Sequence, residues 1–215
     1  MLYFFTGGNH PKFNSEMLAM EIREITDPVF MSIIGSISLE ESRKRLLNDN
    51  KAFVAFINDV PAAFGWMALG KAKIGELNRE FILPIDEAYL WNFRTFENYR
   101  GMGIYTELLK FILRTEQQKI NRFWIMHAPE NKASERGIIK AGFQFAGPVS
   151  VIEDKLHFVR QNPNVNESEI VEIFEFDPSE EYAQCWNCSS PYLTKRKSEC
   201  CCLSVSLECT HSLYA

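Results

Sequence analysis

The stretch ENYRGMGIYTELL, residues 97 to 109, constrains this chain more than any other part of it. It lies between EAYLWNFRTF, a β-rich run, and an apolar set, Ile104, Leu108, Leu109, Ile112 and Leu113, that recurs at helical spacing. The pattern predicts a strand, a short loop and one amphipathic helix from about residue 103 to 119. Such a loop presents unpaired backbone N–H groups at the positive end of a helix dipole, where anions bind. Glycine at 101 and 103 removes the Cβ atoms that would hold a diphosphate away from those amides, and Arg100 adds charge. Other phosphate loops fit poorly. There is no G-x-x-x-x-G-K-[ST], and Thr106 stands where the third glycine of G-x-G-x-x-G belongs. The competing reading is a tight turn without a ligand.

Around this loop the elements alternate. MEIREI, residues 20 to 25, reads as a strand, and SLEESRKRLLND as a helix with Ser38 as its cap and Glu41 completing a capping box. AFVAFIND and PAAFGWMAL form a hairpin signal, and RFWIMHA is a strand stopped by Pro129. A short helix follows, capped by Asn131 and closed by Gly142; PVSVIE and KLHFVR read as a closing hairpin. Strands before, between and after helices predict a mixed α/β sheet.

Composition narrows the functional classes. With 46% apolar and 24% charged residues the chain is globular, and 215 residues suffice for one core and a short appendage. A net charge of −5 gives no electrostatic reason for nucleic-acid binding, and an acidic surface tolerates cationic amines. No apolar run approaches the ~20 residues that span a bilayer, and MLYFF lacks the basic lead-in of a secretory signal. A cytoplasmic protein without membrane contact is expected, and a homodimer is compatible with the sequence.

NYRGMGIY resembles the R-G-x-G acetyl-CoA loop of the GCN5-related N-acetyltransferase (GNAT) superfamily, and NKASERGIIKAGF, residues 131 to 143, is similar to its later N-x-x-[AS]…K-x-G-F segment. The resemblance extends over roughly residues 20 to 160 and implies a GNAT acetyltransferase domain over 1–160. It implies acyl transfer from acetyl-CoA to an amine on a small molecule or protein, in a V-shaped cleft where two parallel strands splay. Carried over, it lays the diphosphate on the amides of Arg100, Gly101, Met102, Gly103, Ile104 and Tyr105. The pantetheine arm then runs along Phe93 and Thr95, with Asn131 approaching from the other side. Two positions depart from the pattern. Tyr105 replaces a Gly or Ala, so its side chain is expected to point away from the cofactor. Ile138 replaces the tyrosine that protonates the leaving thiolate in many relatives, which leaves Tyr89 or Tyr105 as substitutes, or no acid at all.

Attack on a thioester needs a neutral amine, hence a base. Glu87, thirteen residues before Arg100, resembles in placement the glutamate of histone-type members. A solvated strand-start residue is the alternative. His127 is the second candidate, because an unperturbed imidazole titrates near neutral pH; a hydrogen-bonded structural histidine is its alternative. Trp91 and Arg94 are candidates for shaping the acceptor pocket. A rival functional class is an acyl-CoA-binding sensor or adaptor without turnover.

All six cysteines fall between 185 and 209. Residues 161–184 hold seven acidic side chains and no Lys or Arg, and read as a connecting segment in which EIVEIFEF is apolar enough for a strand. Cys185 and Cys188 have the spacing of a zinc knuckle, and Cys200 and Cys202 supply two further thiolates, with Cys201, Cys209 and His211 in reserve. A structural zinc in a 185–215 module is therefore expected. Disulfides or unliganded thiols are the alternatives.

Overall fold

Apolar alternation and turn chemistry place most strands directly. The computed structural model describes residues 1–7, 20–152, 155–182, 186 and 190. The chain opens with β1 (Leu2–Thr6) and β2 (Met20–Ile25). Helix α1 (Pro28–Gly35) starts where Asp27 accepts from the Val29 amide at 2.8 Å and ends at left-handed Ser36. Helix α2 (Leu39–Leu47) starts at Ser38, whose hydroxyl accepts from the Glu41 amide at 3.0 Å. The expected capping box is only half formed, because Glu41 turns its carboxylate forward to Arg45 Nε, 2.8 Å away. Strands β3 (Lys51–Ile57) and β4 (Val60–Leu69) are joined through Asn58 and Asp59, both at positive φ, as a two-residue hairpin turn requires.

A small hairpin follows, β5 (Lys71–Ile74) and β6 (Arg79–Ile82), around a single 3₁₀ turn at Gly75–Leu77. Then come β7 (Glu87–Thr95), α3 (Ile104–Glu116), β8 (Arg122–Met126), α4 (Lys132–Lys140) and β9 (Gln144–Gly147). The last described elements are β10 (Val149–Ile152), β11 (Lys155–Phe158), α5 (Glu167–Phe174) and β12 (Asp177–Pro178). The main sheet runs β2-β3-β4-β7-β8-β1-β9, and within it, among the described residues, only β7 and β8 pair in parallel.

Alternate residues of the sheet feed two layers. On one face Leu90, Phe123 and Ile125 pack against Ile104, Leu108 and Ile112 of α3 and against Ile138 of α4. On the other, Tyr89 and Trp124 pack under Val151, Phe158, Phe174 and Trp186. Beside that layer, α1 covers Val54, Phe64 and Trp66 with Met31.

The structure corrects three expectations. EIVEIF is helical: Asn166 caps α5, and Ile170, Ile173 and Phe174 fall on one buried stripe, so helical spacing wins over the short apolar run. The strand that this region does contribute is two-residue β12, parallel to β11, so the acidic segment belongs to the core and is not merely a connection. The 149–158 hairpin forms as expected but in its own three-stranded sheet, while MLYFF supplies the strand between β8 and β9. Cys185, Cys188, Cys200 and Cys202 lie outside the described residues, as do Cys201, Cys209 and His211. Among the described residues no group of three or more His, Cys, Asp or Glu could hold a metal, and no helix is long and apolar enough to cross a membrane.

Trp186 is 1% exposed, and its indole donates to the Val149 carbonyl at 2.7 Å. Replacing it with Ala should cost ~3–5 kcal/mol in denaturant unfolding. A cost below ~1 kcal/mol would show that this segment is not part of the core.

Candidate active site

β7 and β8 pair for only four residues, from Glu87↔Arg122 to Leu90↔Ile125, and then part. Beyond that point β7 continues on β4 alone. Its register jumps: Trp91 faces Trp66 and Arg94 faces Phe64, so Asn92 and Phe93 together oppose Gly65. Asn92 takes the extra residue at φ 51, a conformation that asparagine tolerates better than most side chains. One inserted residue reverses the alternation. Tyr89 and Trp91 therefore face one cleft, and Phe93 and Thr95 the other. Gly65 makes the bulge possible, since a Cβ there would sit 2.1 Å from the Phe93 ring.

The cleft on the Phe93 side has a volume of about 380 Å³ and brings together most of the cofactor residues expected from the sequence. Gly101 and Gly103 hold φ of 80° and 77°, with open space where each Cβ would stand. Gly103 caps α3 without any side-chain acceptor, and the amides of Gly101 to Thr106 donate to no backbone carbonyl among the described residues. Ile104, 1% exposed, anchors the helix start in the core. Among the described residues, the charged ones lining this cleft are all cations: Arg100, Arg136 and Lys140. Two expectations are refined. The Arg100 amide donates to the Glu97 carbonyl at 3.2 Å, its guanidinium stands 3.4 Å from the Glu97 carboxylate and from the Thr95 carbonyl, and the Met102 side chain is exposed and outside the cleft. Asn131 faces the loop across the cleft and caps α4, accepting from the Ser134 amide at 3.1 Å.

Tyr105 does not turn away. Its ring lines the cleft, meets the Phe93 ring edge-on at 5.4 Å and lies over Gly137, where a Cβ would be 2.5 Å from it. Its hydroxyl reaches the Ser134 hydroxyl at 3.2 Å, and burial keeps it protonated well above the ordinary phenol range. Ile138 is fully buried in the apolar layer, so α4 presents no proton donor at that position.

The second cleft, about 640 Å³, opens between α2 and the β5–β6 hairpin. Its floor is Tyr89, Trp91, Asn92 and Met126, at the point where β7 and β8 separate. Arg45 lies over Trp91 at 4.6 Å and over Trp66 at 5.4 Å, fixed from behind by Glu41. Burial raises the Tyr89 hydroxyl well above its usual range, helped by the charge of Glu76. Sequence reasoning found Trp91 but missed Lys44, Arg45, Lys73, Glu76 and Asn92. The Glu41–Arg45 pair, four apart on a helix, was the readable signal.

Neither expected base lines either cleft. Glu87 starts β7, about 16 Å along the strand from the bulge at a rise of ~3.3 Å per residue. It is 6% exposed, accepts from the Trp124 indole, and pairs with Arg122 at 3.3 Å. Burial raises its carboxyl, partly opposed by those two partners. The strand start is the closed end of the parallel pair. His127 follows β8, packs on Tyr3 at 5.3 Å and shares a 2.8 Å hydrogen bond with the Ala128 carbonyl. Burial pushes its imidazole down to about 4. Arg94 lies over Phe96 at 5.5 Å and lines neither cleft.

The Tyr105–Gly137 contact predicts a change of sign. Gly137→Ala should destabilise the chain by ~1 kcal/mol, overpacking outweighing the helix propensity that alanine adds. In a Tyr105→Ala background the same change should stabilise by ~1 kcal/mol; stabilisation in both backgrounds would remove the ring from Gly137. His127 predicts a pH effect. Its folded form takes up a proton near pH 4, against 6.5 for the free imidazole, so between those values the unfolded chain binds more protons. Stability attributable to this residue is complete above pH 6.5 and falls by about 3 kcal/mol on acidification to pH 4. His127→Gln should flatten that slope, and an unchanged slope would contradict the assignment.

No curated protein matches the chain. Among solved structures, aminoglycoside N-acetyltransferase AAC(6')-Iy, in complex with the bisubstrate analogue CoA-S-monomethyl-acetylneamine, is 15% identical with a TM-score of 0.50, covering 62% of this chain and 97% of that one. The same enzyme in complex with CoA is 16% identical at a TM-score of 0.50, covering 62% and 93%. AAC(6')-Ih from Acinetobacter baumannii is 17% identical with a TM-score of 0.48, covering 62% and 97%. At such identities the likeness is one of fold. The family model described as acetyltransferase (GNAT) family matches residues 19–143. Matched over more than half its length, and with the splayed parallel pair in place, the chain belongs to the acetyltransferase (GNAT) family.

Proposed function

We propose that this protein transfers an acetyl group from acetyl-CoA to a primary amine, the two substrates entering from opposite faces of β7 and meeting at Asn92. The observation that carries the reading is the cofactor cleft: among the described residues, main-chain amides at a helix start with no backbone acceptor, flanked by Arg100, Arg136 and Lys140 with no carboxylate in the lining. That is a receptor for a diphosphate. The fold relative that holds a bisubstrate analogue supports two substrates meeting in one passage.

In the proposed reaction a neutral amine attacks the thioester carbonyl. The C–N bond forms, the C–S bond breaks, the thiolate leaves with the electron pair, and the nitrogen releases one proton to solvent as it becomes an amide, matching the one the thiolate takes up. The ammonium proton must go first to a base. Glu87 is out of reach. Glu76, which lines the acceptor cleft beside Tyr89, is the carboxylate we assign to that task, acting directly or through a water. Tyr105, held protonated in the cofactor cleft, can return a proton to the thiolate.

Calorimetry should show saturable uptake of acetyl-CoA, and an amine panel should release free CoA thiol. Gly103→Ala, whose new methyl stands where the diphosphate docks, should weaken acetyl-CoA binding at least ~10-fold, and backbone strain should take about 1 kcal/mol from stability. Glu76→Gln should lower kcat at unchanged acetyl-CoA affinity. Binding without thiol release from any amine would replace the enzyme with an acyl-CoA sensor, and equal turnover by the Glu76→Gln variant and its parent would retire Glu76 as the base.

A further inference from the structure

The charge pattern of the acceptor cleft differs from that of the whole chain. The chain carries −5, whereas the described residues of the lining include four cations, Lys44, Arg45, Lys71 and Lys73, against three carboxylates, Glu41, Glu76 and Glu80. Two of those carboxylates are already committed. Glu41 holds Arg45 at 2.8 Å, and Glu80 lies 2.7 Å from Lys71 and 3.8 Å from Lys73. Lys44 also acts on Glu80 through space, so three ammonium groups share one carboxylate, whose ionised form they stabilise.

Position sorts the charges. Lys71 and Lys73 have side chains 67% and 52% exposed and stand with exposed Lys44 at the rim. Glu76 is exposed too, but it is the charge of this lining that acts on Tyr89, which is 3% exposed on the floor next to the bulge. Within the described residues Glu76 has no ion pair, and Lys44 has none either. The wall adds two donors without an acceptor among the described residues, Arg45 Nη1 and Trp91 Nε1. Apart from Glu76, these uncommitted groups are donors.

We infer that the acceptor is a small zwitterionic amine: its ammonium group enters toward Glu76 and the Asn92 bulge, while a carboxylate or phosphate on the same molecule stays at the rim with Lys44 and Lys73. This rests on the acetyltransferase reading and adds the substrate class to it. The volume of about 640 Å³ suits a small molecule. A polycation is disfavoured, because its second and third ammonium groups would meet the rim lysines. The order of charges matters as much as their sum, since only an amine at the floor reaches the thioester.

The test compares matched amines at fixed ionic strength: phosphoethanolamine against ethanolamine, β-alanine against propylamine, and spermidine as the polycation. Acetyl-CoA-dependent thiol release should favour the anionic member of each pair by at least ~10-fold in kcat/KM, with spermidine poorest. The double variant Lys44→Ala/Lys73→Ala should lose most of that preference while acetyl-CoA affinity stays within ~2-fold. Equal rates within the pairs, or a preference for spermidine, overturns the inference. Calorimetry of phosphoethanolamine and β-alanine on the CoA-saturated protein separates this failure from that of the enzyme reading. Saturable binding that the double variant loses supports the inference even where no acetyl group is transferred, a result that overturns only the enzyme reading. Absence of binding by both probes overturns the inference whether or not other amines react.

Discussion

Main-chain polar groups have to be paired, and among the described residues β7 beyond Leu90 has no strand on the β8 side to pair with. Everything at the site follows from that edge. It lies between two sheet halves that are each well held, β2-β3-β4-β7 on one side and β8-β1-β9 on the other. The gap is thus a fixed feature of the topology. The bulge at Asn92 decides how the open edge is used, presenting Trp91 to the α2 side and Phe93 to the α3 side. On the proposed reading an amide-bearing pantetheine arm completes the edge, and substrate binding is the last strand pairing of the fold.

Two glycines make that edge workable, and both act by clearing a ring. Gly65 leaves room for Phe93, and Gly137 leaves room for Tyr105; the two rings then meet edge-on across the mouth of the V. The strand, α3 and α4 are thereby locked together through side chains at the place where no backbone bonds join them. Tyr105 thus does in packing what a small residue there could not. It spans the separation, and its hydroxyl ends on Ser134 one helical turn from Ile138.

Local signals were legible in the sequence and nonlocal ones were not. The loop was readable because Gly101 and Gly103 sit in left-handed conformations that few other residues adopt, and the caps at Ser38 and Asn131 because they act within three residues. The bulge was hidden: an asparagine in an otherwise regular strand looks like an outward-facing residue. Glu87 was placed correctly on its strand, but spacing from the loop does not say which end of a parallel pair opens, and its side chain lines neither cleft. EIVEIF satisfied both periods over a short run, and the Asn166 cap decided it as a helix. The cleft beside α2 draws on α2, a hairpin and β7, and no single stretch of sequence reports such a convergence.

The central claim is that a diphosphate docks on the amides where β7 hands over to α3. Amide resonances followed during a CoA titration test it most directly. Saturable shifts centred on Gly101, Gly103 and Ile104, reproduced by pyrophosphate alone at higher concentration, are the expected result. Shifts confined to other surfaces, or none at concentrations that saturate calorimetric binding, would contradict it.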